Sequence, residues 1–161
     1  MAHIEKRTLA QMIVVDRNRQ RILLALQKAG RWQGAYTGFL GAVEPGEDPA
    51  AAAVRITRQQ SRIVVPAYEH LATFDFNSEA WGIAREFEFL AESHVGDPLE
   101  SDAVRPEWFD LDAVPYHRMP ADDAIWYPDF LDRKTLRGHF DFAEDGKTLL
   151  SHCVEEVRDL A

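Results

Sequence analysis

Gly41-Ala-Val-Glu-Pro-Gly-Glu47-Asp-Pro-Ala-Ala-Ala-Ala-Val-Arg55-Ile-Thr-Arg-Gln-Gln60-Ser-Arg-Ile63 decides how this chain is read. It opens as a turn, with Pro45-Gly46, and then switches to helix-forming composition. Asp48 is suited to accept hydrogen bonds from the free N–H groups of a first turn, and Pro49 fits the first helical position, where no N–H is needed. Four alanines and a polar run follow, so a helix is predicted from Pro49 to about Arg62. The helix carries Arg55, Arg58 and Arg62 and no acid. That face can be simply solvated, or its guanidinium groups can contact phosphates directly.

Apolar runs with β-branched residues precede this helix. Leu9–Asp16 and Arg21–Leu26, separated by polar residues from Asp16 to Arg19, read as a hairpin. Gly30 to Gly46 is glycine-punctuated loop with a short strand at Tyr36–Leu40. After the helix, Ile63–Pro66 is expected to begin a strand. His70–Asn77 and Ile83–Ala91 alternate side-chain character with the period of two expected of strands, Phe87 and Phe89 opposing Glu86 and Glu88. Trp108-Phe109 begins a short element. A second helix is expected from Asp122-Asp123 to about Lys134, limited or kinked by Pro128. Thr135–Phe142 and Thr148–Arg158 close the chain as strands around the turn Glu144-Asp145-Gly146. Several strands and two helices imply an α/β sandwich around a mixed sheet.

Composition sets the outer bounds. At 161 residues, 46% hydrophobic and 28% charged, the chain suits one domain spanning residues 1–161. The net charge of −9 argues against duplex nucleic acid as a partner, although a local basic site or a metal would still admit free nucleotides. A single cysteine, Cys153, makes no internal bridge and suits a reducing cytoplasm. Met1–Arg7 is polar, and no apolar run approaches the roughly 20 residues that span a bilayer.

The segment from Gly41 to Ile63 resembles the Nudix box, G-x5-E-x7-R-E-U-x-E-E-x-G-U. Gly41, Glu47 and Arg55 keep its spacing. The resemblance implies the Nudix fold, an α/β/α sandwich around a mixed β-sheet, with a Glu47–Arg55 pair that ties loop to helix. In the family, acids at helical positions i, i+3 and i+4 share one face and hold divalent cations, commonly Mg²⁺, against a pyrophosphate. Here those positions are Ile56, Gln59 and Gln60, and the later glycine is Arg62, so the box is degenerate. A metal would have to rely on Glu44, Glu47 and Glu100, with a backbone carbonyl near Gly41; otherwise no cofactor is needed.

The second half narrows the resemblance. Glu100-Ser-Asp-x-x-Arg105-Pro-x-Trp108-Phe109, Val114-Pro115 and Pro120-x-Asp122-Asp123-x-x-Trp126-Tyr127-Pro128 are similar to the oxidised purine nucleoside triphosphatases, the 8-oxo-dGTP diphosphatases related to the bacterial mutator protein. The likeness implies that Asp122 and Asp123 read a purine edge, one carboxyl donating and the other accepting. The same pair also fits a helix cap. Trp126 matches a residue that stacks on the base and Phe74 a pocket wall, though both equally suit a core. Glu100 matches an acid that helps bind metal, or is a rim carboxylate. Thr37 stands where the family has a base-contacting asparagine, and Leu40 where it has a glycine.

Two functions are therefore expected side by side. One is a nucleoside triphosphate pyrophosphohydrolase of the 8-oxo-dGTP type with impaired metal-dependent catalysis. The other is a catalytically silent nucleotide-binding or regulatory protein. A module that binds a protein partner is a third.

Overall fold

The computed structural model describes residues 6–160. The polar start read over Met1–Arg7 lies, apart from Lys6 and Arg7, outside them. The chain runs β1 (Lys6–Asp16), β2 (Arg21–Gln27), β3 (Tyr36–Thr37), β4 (Phe39–Ala42), α1 (Pro49–Ser61), β5 (Glu69–Ser78), β6 (Gly82–Ala91), β7 (Val104–Asp110), a 3-10 turn (Tyr116–Arg118), α2 (Asp123–Leu131), β8 (Leu136–Phe142) and β9 (Leu149–Glu156). The strands form one sheet in the order β3-β2-β1-β6-β5-β8-β9, with β4 paired to β1 and β7 to β2. β1 runs parallel to β6 and β5 parallel to β8, while the other pairings are antiparallel. The sheet is mixed, as expected.

Side-chain alternation along the strands sends apolar groups to both faces, and a helix covers each. Ala10, Met12, Val14, Leu23 and Phe89 pack with Ala52, Ala53 and Ile56 of α1. Ile13, Val15, Ile22, Leu24, Phe74 and Phe76 pack with Trp126, Tyr127 and Phe130 of α2. In β6 the odd-numbered Phe87 and Phe89 face α1, so Glu86 and Glu88 face the α2 side, where both are buried.

β1 is the hinge of the architecture. Its residues Leu9–Met12 pair with β4 and its residues Val14–Asp16 with β2, while β6 lies along the other edge. Gly38 marks the break between β3 and β4. A Cβ there would meet the Met12 carbonyl oxygen at 2.8 Å and Gln11 Cγ at 2.9 Å, so the crossing requires glycine.

Among the boundaries that differ from expectation, four bear on the architecture. Ile63–Pro66 is not a strand; Val64 makes only an isolated bridge to Val95, because Pro66 has no N–H to continue a ladder. The strand expected at Tyr36–Leu40 is split at Gly38. α2 ends at Leu131 rather than near Lys134, followed by Arg133 in the left-handed region at φ 63°. The short element expected to begin at Trp108-Phe109 instead begins at Val104 as a full strand, β7, with Trp108 and Phe109 near its end, and it pairs along the whole of β2.

Candidate functional site

The loop before α1 is fixed by Glu47 and Arg55. Arg55 Nε donates to Glu47 Oε2 and its Nη2 to Glu47 Oε1, both at 2.8 Å, and Nη2 also reaches the Ala42 carbonyl at 3.0 Å. Asp48 caps the helix by accepting from the Ala51 N–H at 3.3 Å. The bidentate contact with Arg55 holds the Glu47 carboxyl down at about 2, helped by the Glu44 N–H. Arg55 is thereby committed to the loop, which leaves Arg58 and Arg62 as the outward cations of α1 and corrects the expectation of three.

The three positions where the Nudix motif has acids behave differently from one another. Ile56 is buried, 4% exposed, and occupies the space over Gly41, where a Cβ would lie 2.9 Å from its Cδ1. Gln59 Oε1 accepts from Arg55 Nη1 at 3.0 Å. Gln60 Nε2 donates to the Leu40 carbonyl at 3.0 Å, and its Oε1 is buried without a donor. Arg62 takes the left-handed conformation, φ 71°, that glycine adopts most readily at a helix end.

The metal ligands expected outside the helix are not assembled. Glu44 is exposed in one open basin with Lys6, Arg7 and Arg85, while Glu100 borders another with Gln59, Gln60 and Arg62. Glu100 is engaged by Lys28 Nζ at 2.5 Å, which pulls its carboxyl below the usual range. Among the described residues no three His, Cys, Asp or Glu side chains come close enough to hold an ion. A divalent cation needs several oxygen ligands, commonly anionic. This donor set, an isoleucine, two neutral amides, Glu47 and Glu100 already paired with cations, and an exposed Glu44, does not fit one.

The second constellation lies across the sheet, at the start of α2. Asp122 and Asp123 are each 3% exposed and border a small cavity of about 20 Å³ with Gln11, Thr37, Arg31 and Glu86. The cavity has room for about one water. Asp122 does not cap α2 with its side chain; its Oδ2 accepts instead from the Trp126 indole N–H at 2.8 Å. Thr37 is buried, accepting from Gln27 Nε2 at 2.8 Å and donating to the Gly38 carbonyl at 2.6 Å.

Trp126 and Phe74 do not line this cavity. They pack on each other below it, with ring centroids 5.0 Å apart at 56°, and both are core side chains. The aromatic walls are Phe76, Trp32 and Trp81. Trp81 lies under the Arg31 guanidinium, 4.2 Å from its carbon, and its indole N–H donates to the Gly146 carbonyl at 3.2 Å.

Four buried acids share this corner, and burial raises all of them. Asp123 is pushed well above its ordinary range by burial and by the charge of Asp122, to which it donates a hydrogen bond when protonated. Asp122 is also raised by burial, opposed by the Trp126 and Asp123 hydrogen bonds. Glu88 is pushed well up by burial and by Glu86, while Glu86 rises to about 7, chiefly by burial. Gln11 Nε2 donates to Glu88 Oε2 at 2.7 Å, and Gln11 Oε1 accepts from the Gly38 N–H at 2.7 Å. Each acid pair can thus present a protonated donor beside an ionised acceptor.

Gln11, Glu86, Glu88, Arg31 and Trp81 were not among the sequence candidates. The available signal was the strand period itself, since Glu86 and Glu88 share parity with Ala84 and Leu90. Acids on a strand buried on both faces mark a polar site rather than a solvent face.

A model of the NUDIX domain matches residues 6–130. The chain is 35% identical to the oxidised purine nucleoside triphosphate hydrolase of Danio rerio over 87% of its length and 90% of that protein's. It is 34% identical to the protein of the same name from Mus musculus, covering 86% and 88%. Among solved structures, the mutator MutT protein of Bacillus halodurans superposes with a TM-score of 0.81 at 25% identity, covering 92% of this chain and 97% of that one. The Nudix domain of Shewanella oneidensis NrtR, solved with ADP-ribose, shares the fold at a TM-score of 0.69 and 18% identity, covering 80% and 88%. With this sheet, the Glu47–Arg55 tie and these matches, the chain belongs to the Nudix family and is related to the oxidised purine nucleoside triphosphate hydrolases.

Proposed function

We propose that this protein binds a purine nucleotide, normal or oxidised, with the base at the Asp122–Asp123 cavity and the phosphates toward α1, and that its metal-dependent hydrolysis is impaired. One observation carries the reading: the buried, proton-sharing Asp122–Asp123 pair borders a cavity with aromatic walls. Such a pair offers a ring edge one donor and one acceptor, fixed in place by the Trp126 indole.

The path from that cavity to α1 passes Leu40, whose side chain lines the cavity and whose carbonyl holds Gln60. Arg62 borders the basin at the far end of this path with Gln59 and Gln60. A phosphate chain lying there would meet guanidinium and amide groups rather than carboxylates holding Mg²⁺. The protein is then a nucleotide-binding or regulatory relative of the hydrolases. The names of its relatives support the other reading, a nucleoside triphosphate pyrophosphohydrolase of the 8-oxo-dGTP type.

Calorimetric titration with purine nucleoside monophosphates tests the base site. Asp122→Asn and Asp123→Asn are each expected to weaken binding by about tenfold or more, the scale of a lost charge-assisted hydrogen bond. Unchanged affinity in both variants would remove the base from this cavity.

A further inference from the structure

The Asp122–Asp123 pair is not the only acceptor bordering the cavity. Glu86 lies on the neighbouring strand β6, is nine-tenths buried and borders the same cavity. Apart from a proton shared with Glu88, no N–H or O–H of the described residues hydrogen-bonds to its carboxyl. Glu88 behind it is fully buried, with Oε2 held by Gln11 and Oε1 lacking any donor but that shared proton. Gln11 is in turn anchored by the Gly38 N–H. The chain Gly38–Gln11–Glu88–Glu86 thus runs from the β3–β4 break to the cavity, and its last member ends in open acceptor capacity.

Buried acids are costly, and a strand position facing a core is ordinarily apolar. These two are supported by a second strand rather than neutralised by a cation in contact. The positive group whose charge acts on Glu86 is Arg31, which borders the cavity and stacks over Trp81. A guanidinium is a planar, N–H-rich group. Stacked on an indole and facing a carboxylate, it has the chemistry of an amidine-edged ring in the same place. The cavity is too small for a purine beside it, so a bound ring displaces Arg31 from this corner.

We propose that Glu86, positioned by Glu88 and Gln11, is a specificity-determining acceptor that selects a purine ring bearing an amino-substituted, donor-rich edge of the guanine type. This rests on the reading that the cavity takes the base. The Asp122–Asp123 pair supplies one donor and one acceptor; Glu86 adds an acceptor that only an additional N–H of the ring can satisfy. A ring lacking the 2-amino group leaves that carboxylate unpaired in a buried site, which disfavors it.

The test is binding of deoxyguanosine and deoxyinosine monophosphates, which differ by the 2-amino group, without metal. The wild-type chain is expected to prefer the guanine nucleotide by about tenfold. Glu86→Gln should abolish most of that preference, weakening the guanine nucleotide and strengthening the hypoxanthine nucleotide, and Glu88→Gln should do so partially. Thermal melting of both variants, expected at or above the wild-type temperature at neutral pH, confirms folding. Equal affinity of the wild type for the two nucleotides, or an undiminished preference in Glu86→Gln, overturns the role of Glu86 and leaves the base site standing. Binding of neither nucleotide by the wild type overturns the base site and this role with it.

Discussion

Glu86 has a consequence for stability as well as for recognition. Its carboxyl is raised to about 7 against an ordinary 4.5, so between these values the folded chain retains a proton that the unfolded chain has released. Stability contributed through this group therefore falls as pH rises from 4.5 toward 7, and is unaffected below 4.5. Glu86→Gln should be stabilising at pH 7.5 and nearly neutral at pH 4.5, read from denaturant unfolding at the two pH values. Glu47 has the opposite sign. Held down at about 2 by Arg55, it contributes stability above pH 4.5 that is lost as pH falls toward 2. Glu47→Gln should accordingly lower the melting temperature at pH 7 and leave it nearly unchanged near pH 2. A melting difference that does not depend on pH would contradict the pairing. Glu47 was legible in the sequence through the resemblance to the Nudix box, which implies its pairing with Arg55 on the capped helix that follows. Glu86 was not, because its burial depends on α2 covering that face, a tertiary event that alternation alone does not reveal.

Among the elements, α1 is the one whose side chains decide what its face can hold. Ile56 packs into the core beneath the sheet and over Gly41, so it is a packing residue at a position where the motif has an acid. Restoring Glu there would cost about 3 kcal/mol or more in unfolding free energy, because it loses apolar burial and buries a carboxyl. Gln59 is exposed and Gln60 is half-buried, and each should accept glutamate more readily. Arg62, strained at φ 71°, is expected to gain about 1 kcal/mol when replaced by glycine. A loss of stability in Arg62→Gly would mean that its side chain makes contacts worth more than the strain. The cap at Asp48 and the helix start at Pro49 were readable because they are local. The failed strand at Ile63–Pro66 and the early end of α2 were not, because Pro66 and the Arg133 turn act through where the chain must go next. At the site, Asp122 and Asp123, expected to read a purine edge, lie side by side at a small cavity. Trp126, expected to stack on the base, proved to hold Asp122 from within the core, since a tryptophan on a short helix can serve either face.

Across the whole molecule, the sheet separates two sites of different character. On one side α1 presents guanidinium and amide groups and no acid; on the other, three buried acids border a small cavity, with Glu88 behind Glu86. This is the reverse of a site that holds cations on its helix, and under the proposed function binding is separable from metal. The direct measurement is titration of the protein with a purine nucleoside triphosphate, with and without Mg²⁺, while pyrophosphate release is followed. Affinity should be the same within about twofold in the two conditions, with turnover lower by at least about 10³ than in a relative bearing the helix acids. Binding that requires Mg²⁺, with pyrophosphate released at the rate of such a relative, would contradict the separation of binding from metal.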